Sequence, residues 1–349
     1  MTEDPILWAP SAEQRQNSAM YRFMSTHGCA DYDSLYQWSI DESAKFWESL
    51  TAFCQVEFDT PAVTTLCRPD DIMHAGWFDG ARLSYAAHLL RHEGERAAII
   101  SYGEDGRRSD LSFDALRDAV ASIAAGMRDA GVTEGDRVGG YLPNCPEAII
   151  AMLATTSIGA IWSSCSPDFG ANGVIDRFGQ IEPKILFAAN GYYYNGKRID
   201  CRPTTADVVS RMPGILKTVV VDFADGLGTW PTPDNAIAWS DFARPGRELD
   251  IQAVAFDHPL FIMFSSGTTG VPKCIVHGHG GTLLQHLKEH VLHCDLGTDD
   301  RLFYFTTCGW MMWNWLVSAL AAGPRSYCST VRRLSMMGAG CGKWRNASG

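Results

Sequence analysis

Apolar residues along the 349-residue chain change period several times, and each change marks an element. Phe46, Leu50 and Phe53 recur at the i, i+4, i+7 spacing of one helix face. Residues 97–102, Ala-Ala-Ile-Ile-Ser-Tyr, form a short apolar run that reads as a strand. Leu116, Val120, Ile123 and Met127 return to the helical period, and Gly131 is placed to end that helix. Residues 136–141 predict a second strand. Pro146 suits the first position of the next helix, which buries Ile149, Ile150, Met152 and Leu153 and closes at Gly159. Runs at 185–188, 218–221 and 260–264 predict three more strands, and Cys274-Ile275-Val276 another. Leu283, Leu287 and Val291 share one face of a helix; residues 315–322 predict the last helix, with Gly323 as its stop. Strands alternating with helices from about residue 93 predict an α/β fold, a mostly parallel sheet flanked by helices.

Ahead of residue 93 the chain is rich in aromatics and reads as a leading segment, with Trp8, Trp38, Trp47 and Trp77 as its anchors on the main body. Residues 226–233 carry two glycines and two prolines and read as a surface loop. Net charge of −11 argues against non-specific nucleic-acid binding. The eleven cysteines are scattered without a Cys-x-x-Cys pair, which points to reduced thiols and a cytoplasmic setting. The acidic start lacks an apolar signal segment, and no apolar stretch reaches the ~18 residues of a membrane span. After Gly323 the character changes: five basic residues, no acid, and neither apolar period. That break fits a shifted reading frame better than a natural basic tail, and order is expected to be lost there.

The most informative run is Ser265-Ser266-Gly267-Thr268-Thr269-Gly270-Val271-Pro272-Lys273, directly after an apolar strand. Its glycines let backbone approach a ligand, its hydroxyls and loop N–H groups suit phosphate oxygens, and Lys273 adds a flexible point charge. A Walker A loop would place Gly-Lys-Ser/Thr at the start of a helix. Here Lys273 follows Pro272 and leads into a β-branched run, so a hairpin is expected instead. A second run, Cys308-Gly309-Trp310-Met311-Met312-Trp313-Asn314-Trp315, suits either plain core or a compact apolar pocket. His286 and His290 are spaced i, i+4, but the His-Glu-x-x-His order is absent and no metal site is assigned. Tyr192-Tyr193-Tyr194-Asn195-Gly196-Lys197-Arg198 puts aromatics beside two cations, which suits either a solvated turn or contact with an adenine and phosphates.

On these residues the phosphate loop resembles the signature of the adenylate-forming superfamily of acyl-CoA synthetases, peptide-synthetase adenylation domains and luciferases. Leu7-Trp8-Ala9-Pro10, Tyr21-Arg22-Phe23-Met24 and the run 77–83 resemble the N-terminal region of the acetoacetyl-CoA synthetases, as does Trp-Met-Met-Trp-Asn-Trp at 310–315. The resemblance implies a truncated N-terminal domain of an adenylate-forming enzyme, with the C-terminal domain missing. In that reading 1–92 is a leading segment, 93–323 a partial AMP-binding domain, and 324–349 an aberrant, disordered tail. It implies ATP-dependent activation of acetoacetate to acetoacetyl-AMP and then acetoacetyl-CoA, with Mg²⁺ bridging the phosphates and CoA as co-substrate. Thr268, Thr269, Gly270 and Lys273 would hold the β- and γ-phosphates, with Ser265, Ser266 and Gly267 shaping the loop. Trp310, Met311 and Met312 would bound the acyl pocket, and Lys197 and Arg198 would contact CoA. The expected catalytic lysine belongs to the C-terminal region, so this chain alone is expected not to complete the reaction. An acetyl- or propionyl-CoA synthetase fragment, or a nucleotide-binding remnant without turnover, is the alternative.

Overall fold

A computed structural model describes residues 7–227, 233–265 and 270–329. The chain opens with four helices, α1 Ala12–Asn17, α2 Ala19–Thr26, α3 Tyr32–Asp41 and α4 Ser43–Phe53. Local chemistry starts the first three. The hydroxyls of Ser11 and Ser18 and the carboxylate of Asp31 accept from backbone N–H groups three residues on, which satisfies donors that a helix start leaves unpaired. Phe23 is fully buried, with Phe46 and Phe53 edge-on to it at 5.8 and 5.2 Å between ring centroids. Trp38, Trp47 and Trp77 pack against the main core as expected. Trp8 does not: it is 74% exposed. A short ladder of β1 Thr64–Cys67 with β2 Gly76–Asp79 follows, then β3 Arg82–Leu83 and α5 Tyr85–Leu89, which lead into the body.

The body continues through β4 Ala97–Tyr102, β5 Arg108–Ser112, α6 Phe113–Asp129, β6 Arg137–Tyr141, α7 Pro146–Ser157, β7 Ile161–Cys165, α8 Ala171–Ile181 and β8 Ile185–Ala189. A hairpin, β9 Gly191–Tyr194 and β10 Lys197–Asp200, precedes α9 Arg202–Arg211, β11 Lys217–Val221, β12 Ala236–Ala238 and α10 Trp239–Phe242. Then come β13 Val254–Ala255, β14 Pro259–Ser265, β15 Lys273–Gly278, α11 His279–Leu287, a π-helical turn Lys288–His293, and β16 Arg301–Leu302. The described chain closes with α12 Met311–Ser318, a 3₁₀ turn Ala319–Ala322 and β17 Arg325–Ser329.

Among the described residues the largest sheet has seven strands in the order β12-β11-β8-β6-β7-β14-β15, parallel throughout except for β15. A four-stranded sheet, β16-β17-β4-β5, is the second. The α/β expectation holds, and α7, buried along its whole length from Ala148, packs against α5, α6 and the large sheet and contributes much of the core. Three details differ from the sequence reading. Strand β7 lacks an apolar run because its serines bond inward: the Ser163 hydroxyl donates to the Ile262 carbonyl at 2.7 Å. Helix α12 begins four residues earlier than expected. The chain also keeps its order past Gly323: β17 lies between β4 and β16 in parallel register, with Ser326 opposite Ile99 and Leu302. Residues 325–329 are therefore a strand and not part of a disordered tail. An inner strand is held by backbone hydrogen bonds on both sides, which an apolar pattern does not reveal. Gly323 makes the entry, with φ +88, and its carbonyl accepts from the Arg96 guanidinium at 2.7 Å. Residues 330–349 lie outside the described chain.

Candidate functional site

The parallel strands β6, β7, β8, β11 and β14 end at one edge of the large sheet. The connection leaving β6 runs to β7 on one side, and that leaving β7 crosses back to β8 on the other. Ligands of open α/β sheets bind outside the carboxyl ends of strands where connections part in this way. Side chains build the crevice there. The Tyr141 hydroxyl at the end of β6 is shared between the carbonyls of Pro167 and Phe169 at 2.9 and 2.8 Å, which fixes the loop after β7. The Ser164 hydroxyl donates to the Cys308 carbonyl at 2.6 Å, the Cys308 thiol reaches the Pro143 carbonyl at 3.3 Å, and the Trp313 indole donates to Asn144 at 3.0 Å. Segment 308–313 thus hangs on the carboxyl ends of β6 and β7.

Strand β14 runs parallel to β7 and delivers Ser265 to the same edge. Strand β15 returns antiparallel, with Lys273 directly opposite Ser265. The strands on either side of the run therefore pair as a hairpin, as its sequence suggested. Lys273 stands exposed at its mouth, free of the helix a Walker loop would require. Gly270 has φ +89, a conformation that a side chain would strain. The Gln180 amide of α8 donates to the Pro272 carbonyl at 2.9 Å and ties the returning limb to the body. Ser266, Gly267, Thr268 and Thr269 lie outside the described residues.

Between β15, α11 and α12 lies a cavity of about 360 Å³ lined by His277, Gln285, His286, Glu289, Met311 and Trp315, with Gly278, Gly281 and Thr282. Of the three expected pocket residues only Met311 lines it. Met312 is half-buried elsewhere, and Trp310 is 68% exposed as the residue preceding α12. The aromatic run divides: Trp313 is core, while the Trp315 indole donates to Glu289 at 3.1 Å on the cavity wall. Gln285 donates to the other oxygen of the same carboxylate at 2.9 Å. Sequence reasoning missed Thr282, Gln285 and Glu289, and weighed His286 only as a metal ligand. Their signal was a polar stripe at i, i+3/i+4, i+7 on a helix whose other face is Leu283, Leu284 and Leu287.

Burial sets the charge of the histidines. It pushes His286 down to about 3, helped by His290 and His277, and His290 to about 4. His277 is lowered by burial too, so the cavity holds neutral imidazoles at neutral pH. Among the described residues no group of three or more His, Cys, Asp or Glu side chains is gathered to hold a metal ion.

Lys197 and Arg198 sit on β10, in the hairpin that leaves the carboxyl end of β8, at the same sheet edge as the phosphate hairpin. Three strand spacings, about 14 Å, separate β8 from β14. Lys197 is exposed. Arg198 donates to the Asp225 carbonyl at 2.5 Å, and the Tyr193 hydroxyl accepts from the Asp225 N–H at 3.2 Å, so the cationic hairpin is braced from below.

The sheet order, the hairpin at the carboxyl edge and the phosphate run define a nucleotide-binding α/β enzyme domain. Residues 86–338 match the family model described as AMP-binding enzyme, and the chain belongs to that family. Residues 32–89 match the acetyl-coenzyme A synthetase N-terminus. The chain is 46% identical over 337 residues to the acetoacetyl-coenzyme A synthetase of Rhizobium meliloti (strain 1021), covering 93% of this chain and 51% of the relative. It is 43% identical to the acetoacetyl-CoA synthetase of Gallus gallus, covering 92% of this chain and 50% of the relative. Among solved structures it superposes on the acetoacetyl-CoA synthetase from Streptomyces lividans with a TM-score of 0.88 at 41% identity, covering 99% of this chain and 54% of that one. The chain spans about half the length of the curated relatives it matches. No described helix is long and apolar enough to cross a membrane.

Proposed function

We propose that the chain carries the ATP-phosphate and acyl sites of a ligase that joins acetoacetate to CoA, with AMP and pyrophosphate as the other products. One observation supports this reading: two segments marked independently in the sequence lie at the carboxyl edge of one sheet, the ends of the phosphate run at β14 and segment 308–313 at β6 and β7. A carboxylate oxygen of the acid attacks the α-phosphorus of ATP, the acyl-adenylate bond forms, and pyrophosphate leaves with the electron pair. Negative charge grows on that leaving group, so catalysis consists of positioning and electrostatic stabilisation. Lys273 and the donors of residues 265–270 are assigned to the β- and γ-phosphates. Met311, with Trp315 behind it, is assigned to the acid, and the thiol of CoA takes the acyl group in a second step. Lys197 and Arg198 are assigned to CoA, whose phosphates suit exposed cations. Mg²⁺ bound with ATP supplies further neutralisation of the phosphates; the chain's own contribution is the lysine and the loop donors.

Calorimetric titration of the 349-residue chain tests the reading. ATP and acetoacetate should each bind, and ATP should bind more tightly once acetoacetate is present. Absence of binding by either ligand would remove the assignment from this chain. Pyrophosphate released only when acid and ATP are both present would extend the assignment to the first half-reaction.

A further inference from the structure

We propose that Glu289 sets the acid selectivity of the cavity, admitting a short monocarboxylate with an uncharged far end and excluding a dicarboxylate of the same size. The proposal rests on the acyl-site reading given above. Among the described residues, Glu289 is the one acidic side chain on the cavity wall. Its carboxylate is held there by two donors on different elements, Gln285 at 2.9 Å and the Trp315 indole at 3.1 Å. Those bonds occupy one lone pair on each oxygen and leave the negative charge in place. The imidazoles that share the cavity, His277 and His286, are kept neutral by burial and bring no positive charge to offset it.

Orientation then follows from the reaction. The acid must turn its carboxylate toward the α-phosphorus of an ATP whose outer phosphates sit at the hairpin, and so presents its far end to α11 and α12. For acetoacetate that end is a methyl ketone, which suits Met311 and the face of Trp315. For malonate the same volume carries a second carboxylate, directed at Glu289. Two like charges a few ångströms apart in a partly buried site repel strongly enough to cost about tenfold or more in affinity. Acetoacetate and malonate differ chiefly in that charge, so the pair isolates the effect.

The test titrates acetoacetate and malonate into the 349-residue chain and into the variants Glu289→Gln and Glu289→Asp. Glutamine keeps the length and an acceptor for the Trp315 N–H but removes the charge; aspartate keeps the charge. Equal melting temperatures check that each variant folds. The native chain and Glu289→Asp should bind acetoacetate at least about tenfold more tightly than malonate, and in Glu289→Gln that ratio should fall to within about threefold. If the native chain binds the two acids equally, or Glu289→Gln leaves the ratio unchanged, the role of Glu289 is refuted while the acyl site stands. If acetoacetate does not bind the native chain at all, the acyl-site reading itself fails, and this proposal with it.

Discussion

Single residues in this chain take their roles from burial more than from type. Three tryptophans fall within residues 310–315, yet one is exposed, one is core and one lines a cavity. Composition alone left core and pocket both open, and the contacts divide the run between them. Trp313 depends on its partner: Asn144→Ala leaves a buried indole N–H unpaired, and the chain should lose about 1–3 kcal/mol in denaturant unfolding. Unchanged stability would mean that water or another acceptor takes Asn144's place. The buried histidines make a second prediction. His279 and His286 are held at about 3 and His290 at about 4, all below the ordinary 6.5, because burial penalises the imidazolium. The unfolded chain therefore binds more protons than the native one between about pH 4 and 6.5, and stability rises with pH across that window. It is fully present above 6.5 and lost as the pH falls. Urea midpoints should drop clearly between about pH 7.5 and 5, each such group steepening the slope by up to about 1.4 kcal/mol per pH unit. A flat profile would show these rings to be more accessible than their packing indicates.

Elements with a clear period were legible: α4, α6, α7, β4, β8, β11 and the β14–β15 hairpin lie where apolar spacing put them, to within a few residues. Elements defined by backbone partners were not. Strand β7 hides behind serines whose hydroxyls bond to neighbouring segments. The helix expected through Val291 ends as an α-helix at Leu287 and continues as a π-helical turn, which the spacing of Leu283, Leu287 and Val291 does not distinguish. Strand β17 is the largest difference. With β4 along one side and β16 beside Arg325 and Ser326 on the other, the Ser326 amide should exchange at least about a hundredfold more slowly than free peptide. Rapid exchange there would restore the reading in which order ends at Gly323.

At the scale of the whole molecule, the sheet order and the sequence signature converge. The phosphate run could be recognised because its hydroxyls, glycines and lysine are adjacent in sequence. The cavity could not, because Thr282, Gln285 and Glu289 on α11 and its extension meet Met311 and Trp315 only after the sheet and helices have folded. The hairpin between Ser265 and Lys273 is assigned to the outer phosphates of ATP, and Lys273→Ala tests that assignment. Calorimetry with ATP and with AMP should show ATP binding weakened by about 1.5–3 kcal/mol, the value of a charge-assisted hydrogen bond, and AMP binding much less affected. Equal losses for ATP and AMP, or no loss for ATP, would contradict the assignment.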